Sequence, residues 1–334
     1  MKKILYAIQG TGNGHLCRAL DIIPILQKKV GVDVLISGIQ ADVEIPFEVS
    51  YRFKGMSFIF GKKGGVDIWE TFKRLDPINL IREIRSLPVQ NYDLVINDFE
   101  PVSAWASKFK KIPCISLSHQ SAVLNPKAPR PLKSDFFGKF ILKNYAPALY
   151  KYGFHFEEYD QNIFTPVIRQ QIRLGQEKNN GHYTVYLPAY GDDLIIDHLT
   201  KIKGVLWEVF SKHSQKTFRK ENVFITPVNN ERFINSLISS EGVLCGAGFE
   251  TPAEALFLGK KLMVMPMKGQ YEQQCNAAAL KKMGVPVING IEEIISHQGW
   301  FSGNDRVLVN YPDQTEQLVN KILDIHLFGK TNQG

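Results

Sequence analysis

A chain of 334 residues, 44% hydrophobic and 22% charged, is longer than one hydrophobic core usually serves and ordinary in its balance, which excludes a disordered polypeptide and points to two globular domains. The 40 Lys and Arg against 33 Asp and Glu give a net charge of +7, which suits an anionic partner or a merely solvated surface. No zinc-knuckle, helix-turn-helix or RNA-binding signature accompanies that charge, so nucleic acid is not an expected partner. Four cysteines, Cys17, Cys114, Cys245 and Cys275, lie far apart without metal-like spacing and read as reduced thiols of a cytoplasmic protein. No apolar run reaches the length of a membrane span.

The opening MKKILYAIQG has too short an apolar part for a signal peptide and is broken by Gly10, so Lys2 to Gln9 reads as a first strand. GTGNGHLCRALDIIPIL then reads as a glycine-rich turn entering a helix with apolar positions Leu16, Leu20, Ile23 and Leu26. Gly10, Gly12 and Gly14 do not complete a dinucleotide fingerprint: His15 takes the third glycine position, no acid ends the second strand VDVLISG, and there is no Walker loop. His15 reads either as a base facing the crevice beyond the strand ends or as a helix-start histidine satisfied by backbone. The strand Tyr92 to Asn97 ends in Asp98, placed to orient an imidazole, to cap the following helix Val102 to Phe109, or both, with Glu100 as its local rival. The strand Ile112 to Leu117 ends in Ser118-His119-Gln120, so His119 is a second crevice histidine or a structural one.

Two basic, aromatic stretches lie among these elements. One is Lys54 to Arg74, with Trp69; the other is Lys127 to Lys151, where Lys133, Lys139 and Lys143 alternate with Phe136, Phe137, Phe140, Ile141 and Leu142. The second reads as a surface helix with one face in the core, or as an element lying on an anionic membrane. A polar, proline-bounded linker from Phe156 to Pro166 places the domain boundary, giving residues 1–165 and 166–312 as two domains and 313–334 as a terminal helix and tail packed on the first. The second half reads as strand Tyr183 to Leu187, helix Asp192 to Phe210, strand Val223 to Thr226 and helix Asn229 to Ser239. Asp192 and Asp193 serve the helix dipole better than a metal, and no metal site is expected.

The stretch from Val243 to Asn276 orders a strand, a turn at Gly246 and Gly248, a helix with the capping-box spacing Thr251-Pro252-x-Glu254, a stop at Gly259 and a strand Leu262 to Met265. A helix start after such a turn suits phosphate. GAGFETPAEALFLGK, the strand ending in Pro266, Glu272-Gln273 and Asn276-Ala277 resemble the nucleotide-sugar half of GT-B glycosyltransferases, in particular the family 28, MurG-like group.

The resemblance implies an α/β protein of two Rossmann-like parallel-sheet domains facing a cleft, with a C-terminal helix crossing back to the first. It implies sugar transfer from a nucleotide diphospho-sugar, UDP-linked, to an acceptor hydroxyl, inverting and with no metal or other cofactor. Gly246, Ala247, Gly248, Phe249 and Thr251 would hold the donor pyrophosphate, Glu254 the ribose, and Glu272, Gln273 and Asn276 the donor sugar. GTGNGH followed by Arg18-Ala19 is similar to the first loop of the same group, which gives His15 the base role with Asp98 behind it, and Gly12, Asn13, Gly14, His119 and Gln120 the acceptor. A lipid-linked or membrane-associated acceptor would make the protein peripheral at the inner membrane face. The chain departs from the pattern at Lys261, where proline often follows the helix, and at Phe249-Glu250 inside the turn. Glu250 would repel a pyrophosphate, so its side chain must point away or the turn is displaced by one residue. Two alternatives stay open: a nucleotide-sugar 2-epimerase of similar fold, and a non-catalytic sugar-nucleotide-binding protein that keeps the second motif without needing His15.

Overall fold

The structure, a computed structural model, describes residues 2–38, 45–56, 76–133, 135–176 and 178–329. Most of the basic stretch around Trp69, residues 57–75, lies outside the described residues. Among the described residues the first sheet has seven strands: β1 (Lys3–Gln9), β2 (Gly31–Ser37), β3 (Tyr51–Phe53), β4 (Leu94–Asp98), β5 (Cys114–Leu117), β6 (Tyr150–Phe154) and β7 (Ile163–Phe164). They are all parallel, in the order β3-β2-β1-β4-β5-β6-β7. Between and after them run α1 (Gly14–Gln27), α2 (Pro77–Ser86), α3 (Pro101–Lys110), α4 (His119–Val123), α5 (Phe136–Tyr145) and α6 (Gln170–Arg173). The central strands β1 and β4 are buried nearly throughout, as parallel strands covered on both faces must be. The region expected to be a plain linker contains β7, which pairs with β6 through Gly153↔Ile163.

The second sheet has, among the described residues, six strands: β8 (His182–Tyr186), β9 (Leu206–Ser211), β10 (Phe218–Lys220), β11 (Val223–Pro227), β12 (Gly242–Gly246) and β13 (Lys261–Met265). Their order is β10-β11-β9-β8-β12-β13, with only the edge strand β10 antiparallel. Its helices are α7 (Asp192–Leu199), α8 (Asn230–Ser239), α9 (Glu250–Phe257), α10 (Tyr271–Lys282) and α11 (Gln298–Ser302). The long helix expected from Asp192 to Phe210 is thus a short helix and a strand. Gly204 turns the chain with φ 78°, a left-handed conformation natural to glycine, and Leu206–Ser211 then pairs with β8.

The last helix, α12 (Thr315–His326), lies against α1. Its Leu318, Val319, Ile322 and Leu323 are buried in the same core as Ile22 and Leu26, each contributing about 1.5–3 kcal/mol relative to exposure. Lys29 pairs with Glu316 at 3.1 Å, and the Tyr152 hydroxyl lies 2.9 Å from His326 Nε2. The terminal helix therefore returns to the first sheet.

In each sheet the strand order reverses at one place, between β1 and β4 in the first and between β8 and β12 in the second. The crevice outside the strand ends at such a reversal is where open α/β sheets bind ligands. The turn after β1 carries His15, β4 ends in Asp98, and the turn after β12 is Gly246 to Gly248.

Candidate active site

The register Ile8↔Asp98 sets the end of β4 beside the turn that leaves β1. Gly12 in that turn has φ 93°, which a side chain would strain, and α1 begins two residues later with His15 as its second residue. His15 Nδ1 lies 2.8 Å from Asp98 Oδ1. Asp98 is fully buried and also accepts from Arg18, Nη2 to Oδ1 at 2.8 Å and Nε to Oδ2 at 3.0 Å. With Nδ1–H donated to the carboxylate, Nε2 keeps its lone pair, which is the tautomer a base requires. Burial alone would favour neutral His15, but the charge and hydrogen bond of Asp98 outweigh it and raise the imidazole pKa above its ordinary value. Burial likewise works against ionised Asp98, and the charges of Arg18 and His15 hold it below the usual carboxylate range.

Asp98 is not the cap of α3. Glu100 fills that place, accepting from Val102 N at 2.7 Å, Ser103 N at 2.6 Å and the Ser37 hydroxyl at 2.6 Å. Phe99 separates the two acids with φ 57°, a left-handed conformation that costs energy for an aromatic residue. That turn sends Asp98 to the histidine and Glu100 into the helix.

Gln120, on α4, places Nε2 3.4 Å from His15 Nε2 and 3.0 Å from Glu272 Oε2 of the other domain, while its Oε1 is buried with no partner among the described residues. His119 is sealed by comparison. It stacks on Phe249 with centroids 3.9 Å apart, Nδ1 lies 2.8 Å from Phe154 O, and Nε2 lies 2.7 Å from Asn276 Oδ1. Burial lowers its pKa, and the fully buried ring joins the domains rather than facing open space. Asn276 donates from Nδ2 to Ala247 O at 3.1 Å, so it braces the glycine turn from beneath. Gln273 uses Oε1 to accept from Met267 N at 3.0 Å, which ties down the loop after β13.

The expected capping box at Thr251 is not formed: α9 starts at Glu250, its N-cap Phe249 makes no side-chain bond, and Pro252 falls in the first turn, where a missing N–H loses no helix bond. Glu254, which would have closed that box, is buried and held by Arg169 through Nε to Oε1 at 2.6 Å and Nη2 to Oε2 at 2.7 Å, with Nη1 of Arg169 reaching Asn230 Oδ1 at 2.8 Å. Sequence reasoning missed Arg169; the local signal was a charge directly after the apolar pair Val167-Ile168 that follows Pro166. Glu250 points away from the turn, across to Arg18 of the first domain, and rests on Gly14, where any Cβ would collide with its carboxylate. Among the described residues no group of three or more His, Cys, Asp or Glu could hold a metal ion. All four cysteines are free and buried.

The cleft thus sets an aspartate-backed histidine on one sheet opposite a glycine turn and helix start on the other. Residues 2–297 match the model of the family described as glycosyl transferase family 1. No curated protein matches the sequence. Among solved structures, Phytolacca americana UGT2 complexed with UDP-2-fluoro-glucose and pterostilbene is similar over 100% of this chain and 96% of its own, with TM-score 0.58 and 13% identity. Acinetobacter baumannii MurG is similar over 98% of this chain and 99% of its own, with TM-score 0.53 and 14% identity. Arabidopsis thaliana UGT89C1 complexed with UDP is similar over 100% and 96%, with TM-score 0.56 and 13% identity. At these identities the likeness is one of fold, two parallel-sheet α/β domains in the GT-B arrangement. The family match, running through both sheets, shows that the chain belongs to glycosyl transferase family 1.

Proposed function

We propose that this protein transfers a sugar from a nucleotide diphospho-sugar to an acceptor hydroxyl, with inversion and without a metal ion. The observation that carries the reading is the His15–Asp98 pair at the reversal of the first sheet, set across from the Gly246–Gly248 turn of the second. His15 Nε2 takes the proton of the acceptor hydroxyl as that oxygen attacks the anomeric carbon. The bond to the diphosphate breaks on the opposite face, and the imidazolium is steadied by Asp98. The free N–H groups of α9 and its dipole meet the charge of the departing diphosphate, the role a cation would otherwise fill.

Gly246, Ala247, Gly248 and Thr251 are the donor-phosphate residues in this reading, with Glu272 at the sugar. Gln273, Asn276 and Phe249 act from behind by fixing the turn and the loop. UDP as the nucleotide is supported by the ligands of the Phytolacca and Arabidopsis proteins. The narrower kinship with the family 28, MurG-like group is supported by the order of motifs from Gly246 to Asn276. We divide the chain after residue 165, between β7 and α6.

An acceptor on or in a membrane is supported by α5. Leu142 and Tyr145 turn inward, yet Phe136 is 81% exposed and Phe137 and Phe140 are 65% exposed, with Lys133, Lys139 and Lys143 exposed beside them. Exposed aromatics within a basic rim suit an anionic lipid surface, which makes the protein peripheral at the cytoplasmic membrane face. Gly138 of the same helix packs so closely on Tyr271 that a Cβ would collide, which sets α5 against the donor domain.

The testing experiment is a thermal-shift panel of nucleotide sugars, followed by product analysis with candidate acceptors in the presence of a chelator. The expected result is one stabilising donor and an inverted glycoside formed despite chelation. Loss of activity reversed by magnesium or manganese would contradict metal independence, and interconversion of the sugar nucleotide with no acceptor would make the protein an epimerase.

A further inference from the structure

Arg18 follows His15 by three residues on α1, is 2% exposed, and lies with its guanidinium carbon 5.3 Å from the centre of the Phe154 ring. Its nitrogens serve two carboxylates from different domains: Nε and Nη2 bind Asp98, and Nη1 binds Glu250 Oε1 at 2.5 Å. Nη2 also lies 3.2 Å from His15 Nδ1. A planar guanidinium fixes the direction of both acids, which a point-like ammonium does not. An acid in the first turn of a helix ordinarily serves the helix dipole, but the Glu250 carboxylate is turned outward over Gly14 and onto Arg18.

We propose that Arg18 and Glu250 couple closure of the two domains to the catalytic pair: Glu250 arrives with the second domain and seats Arg18, and Arg18 holds Asp98 in line with His15. The catalytic meaning of this coupling rests on the transferase reading above. Arg18 and Glu250 are positioning residues. When the domains part, Arg18 loses one of its two carboxylates and Asp98 alone must fix it, so the base is fully ordered only in the closed cleft. A donor bound to the open form then meets no organised base, which limits its loss to water.

Among the described residues, the charged groups facing His15 are Asp98 from β4, Arg18 from α1 and Glu250 from α9, with the neutral amide of Gln120 on α4 backed by Glu272 on α10. Glu250 acts on His15 in the direction that raises its pKa, and Arg18 opposes it. Transfer needs neutral His15, so activity falls as pH drops through that pKa. Removing the Glu250 charge therefore moves the acid limb of the rate profile to lower pH.

The test is Glu250→Gln, whose side chain is 25% exposed, with kcat, donor KM, the pH profile of kcat, and the His15 imidazole titration followed by NMR. We expect kcat to fall roughly tenfold, the lower end of what a lost charge-assisted hydrogen bond gives, with donor KM unchanged. The acid limb and the NMR midpoint should both move to lower pH. Arg18→Lys, which keeps the charge and loses the fork, should lower kcat similarly. A wild-type titration midpoint in Glu250→Gln, or a wild-type kcat in Arg18→Lys, would overturn the coupling. If the wild type transfers sugar to no acceptor, the transferase reading falls, and the NMR signal of the proton between His15 and Asp98 decides the coupling separately: its loss in Glu250→Gln sustains the coupling, and its persistence there removes it.

Discussion

Each buried acid at this site has found a different counter-charge or donor, and the energetic consequence depends on which. Asp98 has His15 and Arg18, Glu100 has two backbone N–H groups and a hydroxyl, and Glu254 has Arg169. Glu254 allows a direct test, because the donor reading gives it the ribose while the structure shows both its oxygens on Arg169. Glu254→Ala strands a buried guanidinium, which should cost about 3–5 kcal/mol in urea unfolding. If the same carboxylate also meets the ribose, donor affinity measured by calorimetry in the folded variant should weaken by about 1–3 kcal/mol. Lost stability with unchanged affinity would reduce Glu254 to a brace, and unchanged stability would contradict the buried pair itself.

At the level of elements, the two strand-turn-helix units were legible because each is a local pattern: an apolar run, glycines, then a helix, at Lys3–Gln9 with α1 and at Gly242–Gly246 with α9. What failed was local ambiguity or distant pairing. Leu206–Ser211 is an apolar run too short for its periodicity to separate strand from helix, and its place beside β8 depends on residues 24 positions away, as in His182↔Leu206. The capping box of α9 had the right spacing, but Glu254 is claimed by Arg169, 85 residues upstream. The Arg18–Glu250 pair spans 232 residues, and no sequence window contains it. The segment around α5 has Leu142 and Tyr145 buried, as a surface helix with one face in the core requires, and the three phenylalanines exposed, where the proposed membrane contact would use them. Replacing Phe136, Phe137 and Phe140 by Ser should therefore abolish co-sedimentation with anionic vesicles while changing unfolding stability by no more than about 0.5 kcal/mol for each position, as for surface sites. A wild-type protein that ignores anionic vesicles would contradict the membrane reading.

For the whole molecule, the two sheets place their reversal points opposite one another, and specific polar pairs and a ring stack cross between them. Arg18 meets Glu250, Gln120 meets Glu272, His119 meets Asn276, and Phe249 stacks on His119. A core of buried apolar residues runs from Ile4 and Ile8 through Phe154 and Ile168 to Leu237 and Leu256, with α12 returning to α1. The proposed mechanism divides the work, with the base on the first sheet and the phosphate-binding turn on the second. The division has a measurable signature in His15→Ala, assayed side by side for donor binding and for sugar transfer to a competent acceptor. Donor affinity should stay near that of the wild type while turnover falls about 10²- to 10⁴-fold, the usual worth of a general base. Transfer by His15→Ala at the wild-type rate would contradict the assignment of the base.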